Sequence, residues 1–210
     1  MDAQKALLVG LVCVAALGFR ALAQEPKADY VGNSTCKVCH NKPAEGKQWD
    51  VWKSKPHAQA YQVLLEDKAL AIAKEKGLEK PPSESPECLR CHVTAYNRET
   101  GELPAKIKKE DGVQCESCHG AGSLHQKDGQ QVLLKKDTTI DIAAHLVKPD
   151  EKLCTTCHNS DSPSWNPEQY TLEDGTKVGF DFKQASKKIE HPNPLKKKAE
   201  GEPTQGGSQG

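Results

Sequence analysis

The chain has 210 residues, with 29 basic and 29 acidic side chains and a formal net charge of zero. That balance argues against nucleic acid as a partner, because such binding needs a basic face. Aromatic residues make up only 5% and Met1 is the sole methionine, so an ordinary apolar core for a domain of this length is excluded.

The first 23 residues read as an export signal. Lys5 supplies a positive charge, and Ala6–Phe19 is apolar but too short for a confident membrane span. Ala21-Leu22-Ala23 offers a small-x-small cleavage pattern, which would start the mature chain at Gln24. A lipoprotein cysteine at Cys13 is the lesser alternative, since Val12 is bulky where a small residue belongs. No twin-arginine pair is present, and no later segment is apolar enough to cross a bilayer. The expected division is a signal over 1–23, one domain over 24–195 and a disordered, charged then Gly/Gln/Ser-rich tail over 196–210. The expected location is the periplasm or the cell exterior. Cleavage would remove Lys5, Arg20 and Asp2, leaving 27 basic and 28 acidic residues.

Four pentapeptides then follow one pattern: Cys36-Lys37-Val38-Cys39-His40, Cys88-Leu89-Arg90-Cys91-His92, Cys115-Glu116-Ser117-Cys118-His119 and Cys154-Thr155-Thr156-Cys157-His158. Each is a haem c attachment site, in which two thiols form thioethers to the vinyl groups and the histidine meets the iron. Two zinc sites shared among the four pairs are the main alternative, but they leave the histidine after every pair unexplained. A redox dithiol needs one pair in a βαβ context, which is absent. Eight of the nine cysteines lie in the motifs and Cys13 lies in the signal, so no disulfide is expected. The expected cofactors are four covalent haem c groups, which replace the missing core. Their eight propionates make the holoprotein acidic and favour docking to a basic patch on a redox partner.

His57, His125, His145 and His191 remain outside the motifs, as many as there are irons. Bis-histidine ligation is therefore the default, and it implies lower potentials than His/Met ligation. His125 is six residues from His119, too close to reach the far face of the same haem, so as a ligand it must serve a neighbour.

Between the motifs, Pro56 suits a first helical turn, and residues 57–76 are rich in Ala, Leu, Glu and Lys before a stop at Gly77. Residues 81–86 read as a loop. Only 27 residues separate Cys88 from Cys115, so those two sites should be neighbours. Residues 121–136 look loop-like. Thr139 or Asp141 could cap a short helix carrying His145. Residues 181–190 suggest a last helix, with His191 at its end and Pro192 and Pro194 preventing continuation. No segment is strand-rich. The expected fold is mainly α and irregular, a polypeptide wrapped around four closely packed haems.

The segment 112–122 followed by His125, together with Trp52–Ala58, Cys91-His92-Val93 and Ser162–Trp165, resembles the tetrahaem cytochromes of ammonia-oxidising bacteria that accept electrons from hydroxylamine oxidoreductase. The resemblance covers roughly residues 30–195. It implies that His125 ligates the first haem, His57 the third and His191 the fourth, while the second haem can lack a distal protein ligand. His145 departs from that pattern: it would close the second iron or that of a neighbouring subunit. Related cytochromes of metal-reducing bacteria polymerise into extracellular filaments.

Three functions follow. The first is an electron carrier without substrate chemistry, whose partners are other cytochromes or a quinol or hydroxylamine oxidoreductase. The second is a subunit of a conducting filament, suggested by the uncommitted histidine and the tail. The third, least favoured, is nitrogen-oxide or hydroxylamine chemistry at an open iron. The Cys-x-x-Cys-Lys motif that marks catalytic haems in pentahaem nitrite reductases is absent.

Overall fold

The computed structural model describes residues 26–193. The signal, its cleavage site, Cys13, Pro194 and the tail lie outside the described residues. Among the described residues, eight short α-helices and four 3₁₀ turns are joined by irregular chain, with one small antiparallel hairpin. The helices are α1 (Asn33–His40), α2 (Gln48–Lys53), α3 (Asp67–Glu75), α4 (Pro86–His92), α5 (Cys115–His119), α6 (Ser123–Leu133), α7 (Glu151–Cys154) and α8 (Phe182–Ile189). The hairpin pairs β1 (Tyr170–Thr171) with β2 (Lys177–Val178). Among the described residues no helix is long and apolar enough to cross a membrane.

The apolar core is small, as the composition demands. Tyr61, Leu64, Cys88, Leu89 and Val93 form one buried cluster, and several of the remaining buried apolar residues are alanines. Buried polar groups do much of the joining. Glu116, within the third motif, is 4% exposed and accepts backbone N–H bonds from Val31, Gly32 and Gly122 at 2.8–2.9 Å. Gln114 accepts from the Asn33 N–H at 2.9 Å, and its own N–H donates to the Thr94 hydroxyl at 2.6 Å. These bonds tie the entry to α1 onto α5, and Thr94, two residues after the second motif, also meets the Ser117 hydroxyl inside the third at 2.8 Å, so the third motif is fastened to both the first and the second.

The chain departs from the sequence reading in three places. Residues 57–76 are not one helix but two 3₁₀ segments, Pro56–Gln59 and Gln62–Leu65, followed by α3. Tertiary bonds win here. The His57 carbonyl accepts an i+3 bond from Ala60 N–H and a second bond from Val113 N–H, and the Ala60 carbonyl faces the His92 ring, so the segment tightens into 3₁₀ turns instead of running on as an α-helix. Residues 121–136, expected as loop, contain α6. It has no apolar stripe to announce it, and Gly129 sits in its middle, but it places His125 in its first turn. The segment with His145 is a turn, not a capped helix: Asp141 accepts from Ala143 N–H instead, and Thr139 bonds to Asp137. The last helix appears as expected, with the Asp181 carboxylate capping Gln184 N–H at 2.8 Å.

Candidate haem sites

Three motifs lie wholly within helices that end at their histidine, namely α1, α4 and α5. A helix puts residues i, i+3 and i+4 on one face, so each pair of sulfurs and its imidazole point the same way. The fourth motif starts at the last residue of α7 and keeps that geometry through a turn, with His158 N–H bonded to the Cys154 carbonyl at 3.0 Å.

The distal histidines fall opposite motif histidines in three cases. The ring centroids of His40 and His125 are 5.9 Å apart, those of His57 and His158 6.1 Å, and those of His119 and His191 5.9 Å. Two imidazoles bound to one metal through nitrogens about 2.0 Å away have centroids about 6 Å apart. The three pairs therefore fit an iron between them. The His40–His125 rings are near parallel at 14°, whereas the other two pairs are tilted by 55° and 53°. Burial is the main cause holding His40, His57, His119 and His158 below histidine's ordinary pKa, so the neutral ring with a free lone pair is favoured.

Two expectations are corrected in motif order. His57 faces the fourth motif's histidine, not the third's, and His191 faces the third's, not the fourth's. Among the described residues, no motif histidine stands opposite the His145 ring. Its Nε2, the nitrogen a metal would need, lies 3.3 Å from the Asp128 carboxylate on α6. Among the described residues no second imidazole pairs with His92.

The imidazoles are also aimed from behind. Nδ1 of His92 faces the Ala60 carbonyl at 2.5 Å, Nδ1 of His125 the Ile142 carbonyl at 2.5 Å, and Nδ1 of His119 the Val147 carbonyl at 3.3 Å. A proton held at Nδ1 leaves Nε2 for the iron. Phe180 stacks on His158 at 5.2 Å and fixes its plane. These supporting groups were not found from sequence. Backbone carbonyls carry no side-chain signal, and Phe180 lies just ahead of the segment 181–190 that the sequence marks as helix.

Sulfur contacts order the sites. Cys36 lies beside Cys115, Cys91 beside Cys157, and Cys118 near Cys154 and Cys157. The path therefore runs from the first motif to the third, the fourth and the second. Among the described residues no group of three or more His, Cys, Asp or Glu is placed to hold a metal ion.

Gly112 shows how tightly the His57 site is built. It has φ 66°, and a Cβ there would lie 2.7 Å from the His57 carbonyl oxygen. Gly112→Ala is expected to cost about 2 kcal/mol, the scale of a strained backbone position, and to alter the axial spectrum of the fourth-motif site in particular. Thermal melts and low-temperature EPR of the holoprotein check both parts.

The motifs and paired imidazoles define a multihaem c-type cytochrome, a protein that transfers electrons. The family described as cytochrome c554 and c-prime matches residues 35–120. Cytochrome c-554 of Nitrosomonas europaea is 30% identical over 185 residues, covering 77% of this chain and 74% of that one. The chain belongs to the cytochrome c554 family and carries covalently attached haem c. A multiheme cytochrome MtrA of Shewanella baltica is 26% identical over 92 residues, 40% of this chain and 27% of its own. The solved reduced state of the Nitrosomonas cytochrome aligns with a TM-score of 0.44 at 25% identity, covering 77% of this chain and 78% of that one.

Proposed function

We propose that this chain relays electrons through four haems, three with histidine on both faces of the iron and one open on its distal side. The observation that carries the reading is the set of three imidazole pairs at iron-spanning distance. Cys36, Cys39, Cys88, Cys91, Cys115, Cys118, Cys154 and Cys157 attach the cofactors, and His40, His92, His119 and His158 are the proximal ligands. His125, His191 and His57 are distal ligands at the first, third and fourth motifs. The bound haems supply irons that cycle between ferric and ferrous states. The protein's part is to fix the axial ligands, hold their protons at Nδ1 and pack the sites in one file, so that an electron moves without bond breaking.

The partners are other redox proteins, met outside the cytoplasm after export by the signal. The filament reading loses support, since the histidine that suggested it is held by Asp128. The open face at His92 is the one observation that favours a second reading, small-molecule chemistry at that iron.

Low-temperature EPR of the oxidised holoprotein, with spins counted against total haem, tests the proposal. The expected result is three low-spin ferric haems and one high-spin haem per molecule. The near-parallel first-motif pair should give a more rhombic signal than the two tilted pairs. Four low-spin haems would mean that a further ligand closes the His92 site. Fewer than three would overturn the ligand assignment.

A further inference from the structure

The turn that carries His145 does something the relay does not explain by itself. Residues 141–147 are largely exposed and contribute nothing to the apolar cluster, and a segment with so few buried contacts should open readily. Yet it reaches two haem sites. The Ile142 carbonyl faces Nδ1 of His125, which pairs with His40 at the first motif. Five residues on, the Val147 carbonyl faces Nδ1 of His119, which pairs with His191 at the third. The remaining imidazoles of those sites, His40 and His191, make no hydrogen bond through Nδ1 to any described residue. The turn therefore supplies the backbone acceptors of both axial pairs.

Two features hold it in place. At its far end Val147 N–H bonds to the His119 carbonyl at 2.9 Å, and the Val147 side chain packs where Gly120 has no Cβ. In its middle His145 Nε2 meets the Asp128 carboxylate at 3.3 Å. Asp128 follows His125 by almost one turn on α6, so this contact ties the turn directly to the helix that presents the distal ligand.

We propose that His145 and Asp128 are positioning residues: their contact clamps residues 141–147 across the first and third haem sites, so that the Ile142 and Val147 carbonyls set both reduction potentials together. A carbonyl that accepts the Nδ1 proton makes the imidazole a stronger electron donor and favours ferric iron. Loosening the turn weakens both bonds and raises both potentials. The inference rests on His125 and His119 being axial ligands, and the wild-type EPR spectrum decides that before any variant is made.

The test is spectroelectrochemistry and EPR on the four-haem holoprotein, comparing wild type with His145→Ala, Asp128→Asn and His145→Gln. Glutamine can place an N–H donor close to where the imidazole Nε2 stands. In His145→Ala and Asp128→Asn the ferrous-to-ferric ratio at an unchanged poise should rise about threefold at two haems, the scale of a partly exposed ion pair. The two corresponding low-spin signals should shift in g value, and the other two haems should not change. His145→Gln should restore the wild-type values. Unchanged potentials in both His145→Ala and Asp128→Asn would overturn the proposal. So would an equal shift at all four haems, which would indicate general loosening. Conversion of a low-spin haem to high spin in His145→Ala would also overturn it, by making His145 a ligand.

Discussion

Replacing Glu116 with alanine is expected to destabilise the holoprotein by about 4 kcal/mol, read as a lower denaturant midpoint with an unchanged slope. The side chain is 4% exposed and its two oxygens accept three backbone N–H groups, from Val31, Gly32 and Gly122. Removing it strands those donors in a place with little access to water, and each buried donor without a partner carries a penalty of about 1–3 kcal/mol. Glu116→Gln keeps one acceptor oxygen and should fall between the two. The damage should be local as well. Val31 and Gly32 lead into α1, so the Cys36–Cys115 contact loosens and the first and third haems exchange electrons more slowly. Reduction kinetics in Glu116→Ala should therefore split into a fast and a slow phase. A midpoint within 1 kcal/mol of wild type would show that water replaces the carboxylate and that the fastening lies elsewhere.

Haem-free chain is expected to show no cooperative thermal transition and little helix. The buried apolar set is dominated by Ala58, Ala60, Ala73, Val31, Val93 and the Tyr61–Leu64–Leu89 cluster. Burial yields roughly 25 cal/mol per Å², and small side chains bring little area, so this set falls short of the chain entropy lost on folding. The helices that bear the motifs are also short: α5 has five residues and α7 four. Isolated helices below about 12 residues are marginal in water. Circular dichroism and calorimetry of protein made without haem attachment would settle this. A sharp transition with a helical baseline would mean that the polypeptide folds on its own contacts.

The attachment sites were legible in the sequence because a porphyrin edge demands one short spacing, written locally as Cys-x-x-Cys-His. The short interval from His119 to His125 likewise points His125 away from its own motif, and its ring faces His40 of the first. Which distal histidine faces which motif was not legible. His57 reaches His158 and His191 reaches His119 through the path of the intervening chain, and no residue near either encodes that path. The α6 helix was missed because its packing face is a ligand face, with His125 in place of an apolar stripe. The 57–76 stretch was over-read for the opposite reason. Its residues favour helix, but the His57 carbonyl divides between Ala60 N–H and Val113 N–H, and the Ala60 carbonyl faces His92. His145 was counted as a ligand by arithmetic, and only the position of Asp128 shows what else can hold an imidazole.

The three imidazole pairs link His40 to His125, His57 to His158 and His119 to His191. Along the chain these spans overlap, so no cut between His57 and His158 leaves all three intact. A contiguous piece that keeps all three pairs must therefore run from His40 to His191. Maturation inherits the same constraint. His40 sits in the first motif of the chain, but the imidazole it faces, His125, follows only after the third motif. His57 must wait for the fourth. Thioether formation can proceed in order from the N-terminus, while the axial sets close late and nearly together.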